Sequence, residues 1–267
     1  MRILLVNDDG VYSAGLHALR ATLEQKPGVE VYVVAPDRQR SASGHAITLH
    51  KPLYIEQVDI AGSSSPVYAV NGTPADCTKI GILAVLPGPA DLVISGINRG
   101  ANLGTDVLYS GTVSAAIEGV ILGAPAIAVS LATWENPDYT LAASFTAELV
   151  DMVVERGLPP GVLLNVNIPP ARGNTAAGVA ITRLSRRSYR DRFERRVDPR
   201  GRAYYWLAGE PVDDPQPPDT DIGAVRAGLI SITPLRLNLT DEQLIHQLGP
   251  WQESLQDRLA RARHSGE

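Results

Sequence analysis

The sequence predicts an α/β fold: a Rossmann-like, doubly wound, mostly parallel sheet with a C-terminal extension. Three observations carry that expectation. Unbroken aliphatic runs such as residues 3–6 and 30–35 lack the alternation of a half-solvated strand and read as strands buried on both faces. Segments with apolar residues at helical spacing alternate with them, in the strand–helix–strand order of a right-handed crossover unit. Polar or glycine-rich loops follow several of these strands, at the edge where open α/β sheets bind ligands.

The first strand, residues 3–6, stops at Asp8, Asp9 and Gly10. Adjacent carboxylates repel unless a cation or a shared proton neutralises them. The pair therefore reads either as a divalent-metal site at a strand end or as a helix cap and turn, which aspartate also favours. Residues 14–25 carry Leu16, Leu19 and Leu23 at helical spacing, with Ser13 placed to cap. A second strand at 30–35 runs into the polar loop 36–45, which offers the hydroxyls of Ser41 and Ser43, the cations of Arg38 and Arg40, and the flexible Gly44. Strands are expected at 53–58 and 67–70. Thr73 and Pro74 then open a helix through about Leu86, with Cys77 read as a buried structural thiol.

A strand at 91–95 ends in residues 96–104, where three glycines and two asparagines call for unusual dihedrals or close approach of a ligand. Ser110, Gly111 and Thr112 open the next helix, reaching about Leu122. Backbone N–H groups and hydroxyls at the positive end of a helix suit a phosphate, and they equally suit an ordinary N-cap. A strand at 125–131, a helix at 141–155 and a strand at 162–168 complete a Rossmann-like catalytic domain over residues 1–170. Residues 171–267 are expected to form an oligomerisation region, with a soft boundary because a strand around 228–233 is free to return to the core.

In that region residues 183–202 hold nine arginines interleaved with aromatics, which raises a nucleic-acid strip as one reading. The turn Asp198-Pro-Arg-Gly201 between extended arms, and the acids Glu210, Asp213, Asp214, Asp219 and Asp221 that follow, favour a hairpin arm packing on another subunit. Thr240-Asp-Glu-Gln243 is a capping-box start for a terminal helix to about Arg263. A net charge of −5 gives no global attraction to nucleic-acid polymers or anionic membranes. One cysteine excludes an intramolecular disulfide framework and a cysteine-rich zinc site. Asp8 and Asp9 interrupt any signal-peptide pattern, and no apolar run reaches the ~20 residues of a membrane span, so a cytoplasmic protein is expected.

With parallel strands, three loops share one sheet edge: Asp8 and Asp9, the Ser41 loop, and the Asn98 loop. Two carboxylates, a hydroxyl and an amide oxygen are hard donors that suit one Mg²⁺ or Mn²⁺, leaving positions for water and a phosphate oxygen. Such an ion polarises a phosphoryl oxygen and acidifies bound water, which points to phosphomonoester hydrolysis. Arg99, Ser110, Gly111 and Thr112 are candidates for the other phosphate oxygens, together with Asn7, Ser43 and Gly44 from the flanking loops.

The segments Asn7-Asp-Asp-Gly10, Ala35-Pro-Asp-Arg38 with Arg40-Ser-Ala42, Gly72-Thr-Pro-Ala-Asp-Cys77, Ser95-Gly-Ile-Asn-Arg-Gly100 and Tyr109-Ser-Gly-Thr-Val113 resemble, in that order, the survival protein E (SurE) family. The resemblance runs from residue 1 to about 240. It implies a metal-dependent 5′/3′-nucleotidase acting on nucleoside monophosphates and, in some members, short polyphosphate. It further implies metal binding by Asp8, Asp9, Ser41 and Asn98, and a C-terminal part exchanged between subunits of a homodimer or homotetramer. A phosphatase of the haloacid dehalogenase type fits less well, since its aspartates stand two positions apart and position 10 here is glycine. A phospho-receiver domain would need a lysine ending a later strand, and residues 128–131 supply none. His45 reads either as a general acid or as a packing residue beside the serine loop.

Overall fold

The computed structural model describes residues 1–170, 175–187, 189–212 and 214–264. Met1–Leu235 forms one compact unit and Arg236–Glu267 a second. In the first, the chain enters β1 (Arg2–Val6), α1 (Ala14–Leu23) and β2 (Glu30–Pro36), then β3 (Ile55–Gln57), β4 (Val67–Val70) and α2 (Pro74–Ile80). It continues through β5 (Leu92–Arg99), α3 (Gly111–Ile121), β6 (Ala126–Leu131), α4 (Thr140–Arg156) and β7 (Val162–Ile168). Then come β8 (Gly178–Ile181), the hairpin β9 (Tyr189–Val197) and β10 (Ala203–Pro211), α5 (Asp221–Arg226) and β11 (Leu229–Arg236).

Nine strands form one sheet in the order β3-β4-β2-β1-β5-β6-β7-β11-β8. Neighbours from β4 through β7 run parallel, as do β11 and β8, and β3 pairs antiparallel with β4. The chain winds outward from β1 to β4 on one side, then from β5 to β7 on the other. Its direction therefore reverses between β1 and β5, and a crevice opens at such a switch point. Alternating residues of β1 face opposite layers. Ile3 and Leu5 pack in one core with Leu16, Leu19 and Leu23 of α1 and Ala143, Ala147 and Val150 of α4. Leu4 faces the other way, under Gly81 just past α2. That accounts for unbroken apolar runs in the strands: both faces are covered.

The expected elements to residue 168 form, with two changes. The helix opening at Pro74 ends at Ile80 and continues as a π-helical turn over Gly81–Val85. Residues 96–99, expected as loop, extend β5 beyond an irregularity between Ser95 and Asn98. The strand near 228–233 does return to the central sheet, as β11. The edge strand β8 and the six-residue α5 were not expected from the sequence. The second unit contains α6 (Glu242–His264), with Pro250 inside it and Leu244, Ile245, Leu248, Trp251, Leu255 and Leu259 exposed. No helix among the described residues is long and apolar enough to cross a membrane.

Candidate active site

Asp8 and Asp9 follow β1 at the switch point, and hydrogen bonds tie each neighbouring loop to them. From the loop after β2, Arg40 N donates to the Asp8 carbonyl at 2.7 Å. From the end of β5, Arg99 N donates to Asp9 Oδ2 at 3.0 Å. From the start of α3, Thr112 Oγ1 donates to Asp8 Oδ1 at 2.6 Å. Gly111 permits that last approach, because a Cβ there would stand 2.7 Å from the Asp8 Cβ and 3.1 Å from Pro74. Asn7 secures the turn itself: its amide donates to the Gly10 carbonyl at 3.0 Å and to Ser13 Oγ at 2.5 Å, and accepts from Gly10 N at 3.2 Å. Ser13 thus precedes α1 without capping it through its side chain.

The Asp8 carboxyl is pushed up to about 6, first by burial, against the opposing hydrogen bond from Thr112, with the Asp9 charge adding to the rise. Asp9 is also raised, by burial, while the N–H and charge of Arg99 oppose the rise. Two carboxylates held side by side at a loss of solvation form a site that a divalent cation relieves. Asn98 is buried at the end of β5, and its Nδ2 donates to the Gly100 carbonyl at 2.8 Å, so Oδ1 is the atom of its amide that could hold a cation. Ser41 lies next to Arg40 on an exposed turn, its Oγ accepting from Gln39 Nε2 at 2.9 Å. The donor set is oxygen throughout, from carboxylate, amide and hydroxyl, and it fits a hard cation such as Mg²⁺ or Mn²⁺.

The family profile described as "Survival protein SurE" matches residues 3–191. The chain belongs to the SurE family. A relative named 5′-nucleotidase SurE, from Symbiobacterium thermophilum, is 54% identical over 249 residues, which is 93% of this chain and 97% of that protein. Another of the same name, from Pelotomaculum thermopropionicum, is 53% identical over 93% of this chain and 94% of its own length. The crystal structure of a SurE protein from Aquifex aeolicus superposes with a TM-score of 0.81 at 40% identity, covering 94% of this chain and 100% of that one. The Rossmann-like α/β architecture is therefore that of the SurE family.

Several expected phosphate ligands of this SurE chain are engaged elsewhere. Ser110 caps α3, its Oγ accepting from Val113 N at 3.0 Å, so the N-cap reading applies to its side chain. Thr112 is spent on Asp8 and Asn7 on the turn. The Arg99 guanidinium donates to the Trp134 carbonyl through Nε at 3.0 Å and through a second, short contact. Gly44 N donates to the Tyr109 carbonyl at 3.1 Å, which binds the serine loop to the entry of α3. Ser43 Oγ, by contrast, is buried with no hydrogen-bond partner. His45 Nε2 lies 2.9 Å from the buried Glu118 Oε2, whose other oxygen meets Lys79 Nζ at 2.6 Å. That contact supports the packing reading of His45.

The loop after β6 belongs to the same edge and was missed from the sequence. Trp134 orients Arg99, and Tyr139 sits close enough to Asp9 that burial and that carboxylate raise its phenol. Parallel pairing of β6 with β5 was the available signal, since it sends both following loops to one edge. Asp221, read as part of an acidic loop, is instead fully buried at the start of α5, accepting from Gly104 N at 2.7 Å and Ser185 N at 2.9 Å.

Proposed function

We propose that this chain is a metal-dependent phosphomonoesterase that hydrolyses nucleoside 5′- and 3′-monophosphates to nucleoside and phosphate, and short-chain polyphosphate from its ends. The 5′-nucleotidase part is supported by the names of relatives more than half identical over almost the whole chain. The observation that carries the metal dependence is the pair Asp8 and Asp9 at the sheet's switch point, one buried with its carboxyl raised to about 6. Asp8, Asp9, Ser41 and Asn98 would hold one divalent cation per subunit. Bound there, the cation would neutralise the carboxylates, polarise a phosphoryl oxygen and acidify a coordinated water.

The protein's own groups then account for the rest. The buried Asp8 and Asn98 would keep bulk water from one side of a phosphate held there and strengthen the charge interactions on that side. The unpartnered Ser43 hydroxyl and the first-turn N–H of Gly111 would hold phosphate oxygens, with Asn7, Gly44, Arg99, Ser110 and Thr112 around them. Attack of a water oxygen on phosphorus breaks the bond from phosphorus to the nucleoside oxygen, and the proton lost by the water passes to that oxygen, giving phosphate and nucleoside. Assembly of two or four copies in the cytoplasm, through the hairpin β9–β10 and α6, completes the reading.

The deciding experiment is phosphate release from a panel of nucleoside 5′- and 3′-monophosphates and short polyphosphates, with Mn²⁺ or Mg²⁺ and with EDTA. Metal-dependent release from nucleoside monophosphates is expected; none with any cation would end the hydrolase reading, and a blank with polyphosphate or 3′-substrates would narrow it.

A further inference from the structure

We propose that Thr112 is a positioning residue that biases Asp8 toward single-oxygen coordination and thereby tunes the site to a small six-coordinate cation over Ca²⁺. This rests on the metal site proposed above. Thr112 is fully buried on the first turn of α3, and its hydroxyl donates to Asp8 Oδ1 at 2.6 Å. That hydrogen bond takes one of the two lone pairs of Oδ1 and lowers its charge, so it favours Oδ2 as the oxygen for a cation. Oδ2 faces Gly111, where a Cβ would stand 2.9 Å away, so glycine keeps it uncovered. Asp9 shows the same division, with Oδ2 accepting from Arg99 N at 3.0 Å.

Each carboxylate therefore favours one oxygen over the other for a cation. With Ser41 and Asn98 the protein would supply four oxygens, which would leave a six-coordinate cation room for water and substrate. Mg²⁺ and Mn²⁺ accept that number, whereas Ca²⁺ favours 6–8 oxygens at longer distances and commonly takes a carboxylate through both. A hydroxyl behind a metal-binding carboxylate also orients it, and loss of such a partner typically weakens metal binding about 10–100-fold.

Isothermal titration of the purified full chain with Mn²⁺ and with Ca²⁺, for wild type, Thr112→Val, Thr112→Ala and Thr112→Ser, tests this. Wild type should bind Mn²⁺ at least about tenfold more tightly than Ca²⁺. Thr112→Val, close in shape but without the hydroxyl, should weaken Mn²⁺ about tenfold or more and shrink the Mn²⁺ to Ca²⁺ preference by a similar factor. Thr112→Ala should follow it, and Thr112→Ser should keep the wild-type preference within about twofold. An unchanged preference in a folded Val or Ala variant, even with both ions weakened equally, overturns the proposal. So does wild type binding Ca²⁺ as tightly as Mn²⁺, a result that needs no variant. Absence of any Mn²⁺ binding by wild type would instead bring down the metal site itself, and this inference with it.

Discussion

Burial pushes the Asp8 carboxyl to about 6, above the 3.8 it has when solvated, and Asp9 beside it adds to the rise. Between those values the folded state binds more protons than the unfolded one. Stability from this group is thus fully present below about pH 4 and is lost as pH rises through about 6, a change on the order of 3 kcal/mol for a side chain this buried. Urea unfolding in EDTA from pH 4 to 8 should show that loss, Asp8→Asn should remove most of it, and saturating Mn²⁺ should restore stability above pH 6. Identical pH dependence in wild type and Asp8→Asn would refute the assignment. For catalysis, Asp8→Asn or Asp9→Asn should lower turnover by on the order of a hundredfold or more while circular dichroism stays that of the wild type. Retention of most activity would remove the pair from the site.

At the scale of elements, the site depends on how α3 and β5 are seated against their neighbours. Glu118 of α3 is buried and joins Lys79 beyond it to His45 of the serine loop. Both partners keep solvent contact, so Glu118→Ala should cost about 1–3 kcal/mol, toward the low side of a severed buried pair. His45→Ala should lower stability modestly and leave the pH profile of turnover unchanged; a shifted profile would return His45 to the mechanism. In β5, Gly96 has φ of 136° and a Cβ there would lie 2.3 Å from the Val129 carbonyl oxygen of β6. Gly96→Ala should therefore destabilise by about 2–4 kcal/mol in urea unfolding and weaken Mn²⁺ binding, because Asn98 follows two residues later. A fully stable variant with normal Mn²⁺ affinity would contradict that packing.

For the whole molecule, the exposed hairpin is the feature on which the proposed assembly rests. Among the described residues β9 and β10 pair only with each other, and Phe193, Tyr205, Trp206 and Leu207 are all more than half exposed. A two-stranded ribbon is marginal alone and gains stability by packing on something else. Phe193→Asp combined with Trp206→Asp should reduce a dimer or tetramer to monomer in light scattering, and an unchanged mass would locate assembly elsewhere. The order of strands and helices through residue 168, the sheet edge that carries Asp8, Asp9, Ser41 and Asn98, and the hairpin turn were legible in the sequence. Aliphatic runs, helical spacing and turn residues are local signals, and parallel strands bring their following loops to one edge by geometry alone. The duties of Ser110, Thr112, Asn7 and Arg99 were decided only by tertiary structure. Each carries groups that suit a phosphate, and each also has a side-chain partner within the fold: a helix end, a carboxylate, a turn, the Trp134 carbonyl. β8 and α5 were hidden for a related reason. Four half-exposed residues and one short turn carry no periodicity, and they acquire their form only by pairing with β11 and by folding over the buried Asp221. Spacing along the chain tells which groups can reach an edge, whereas distance in the folded protein decides which of them is still free when they arrive.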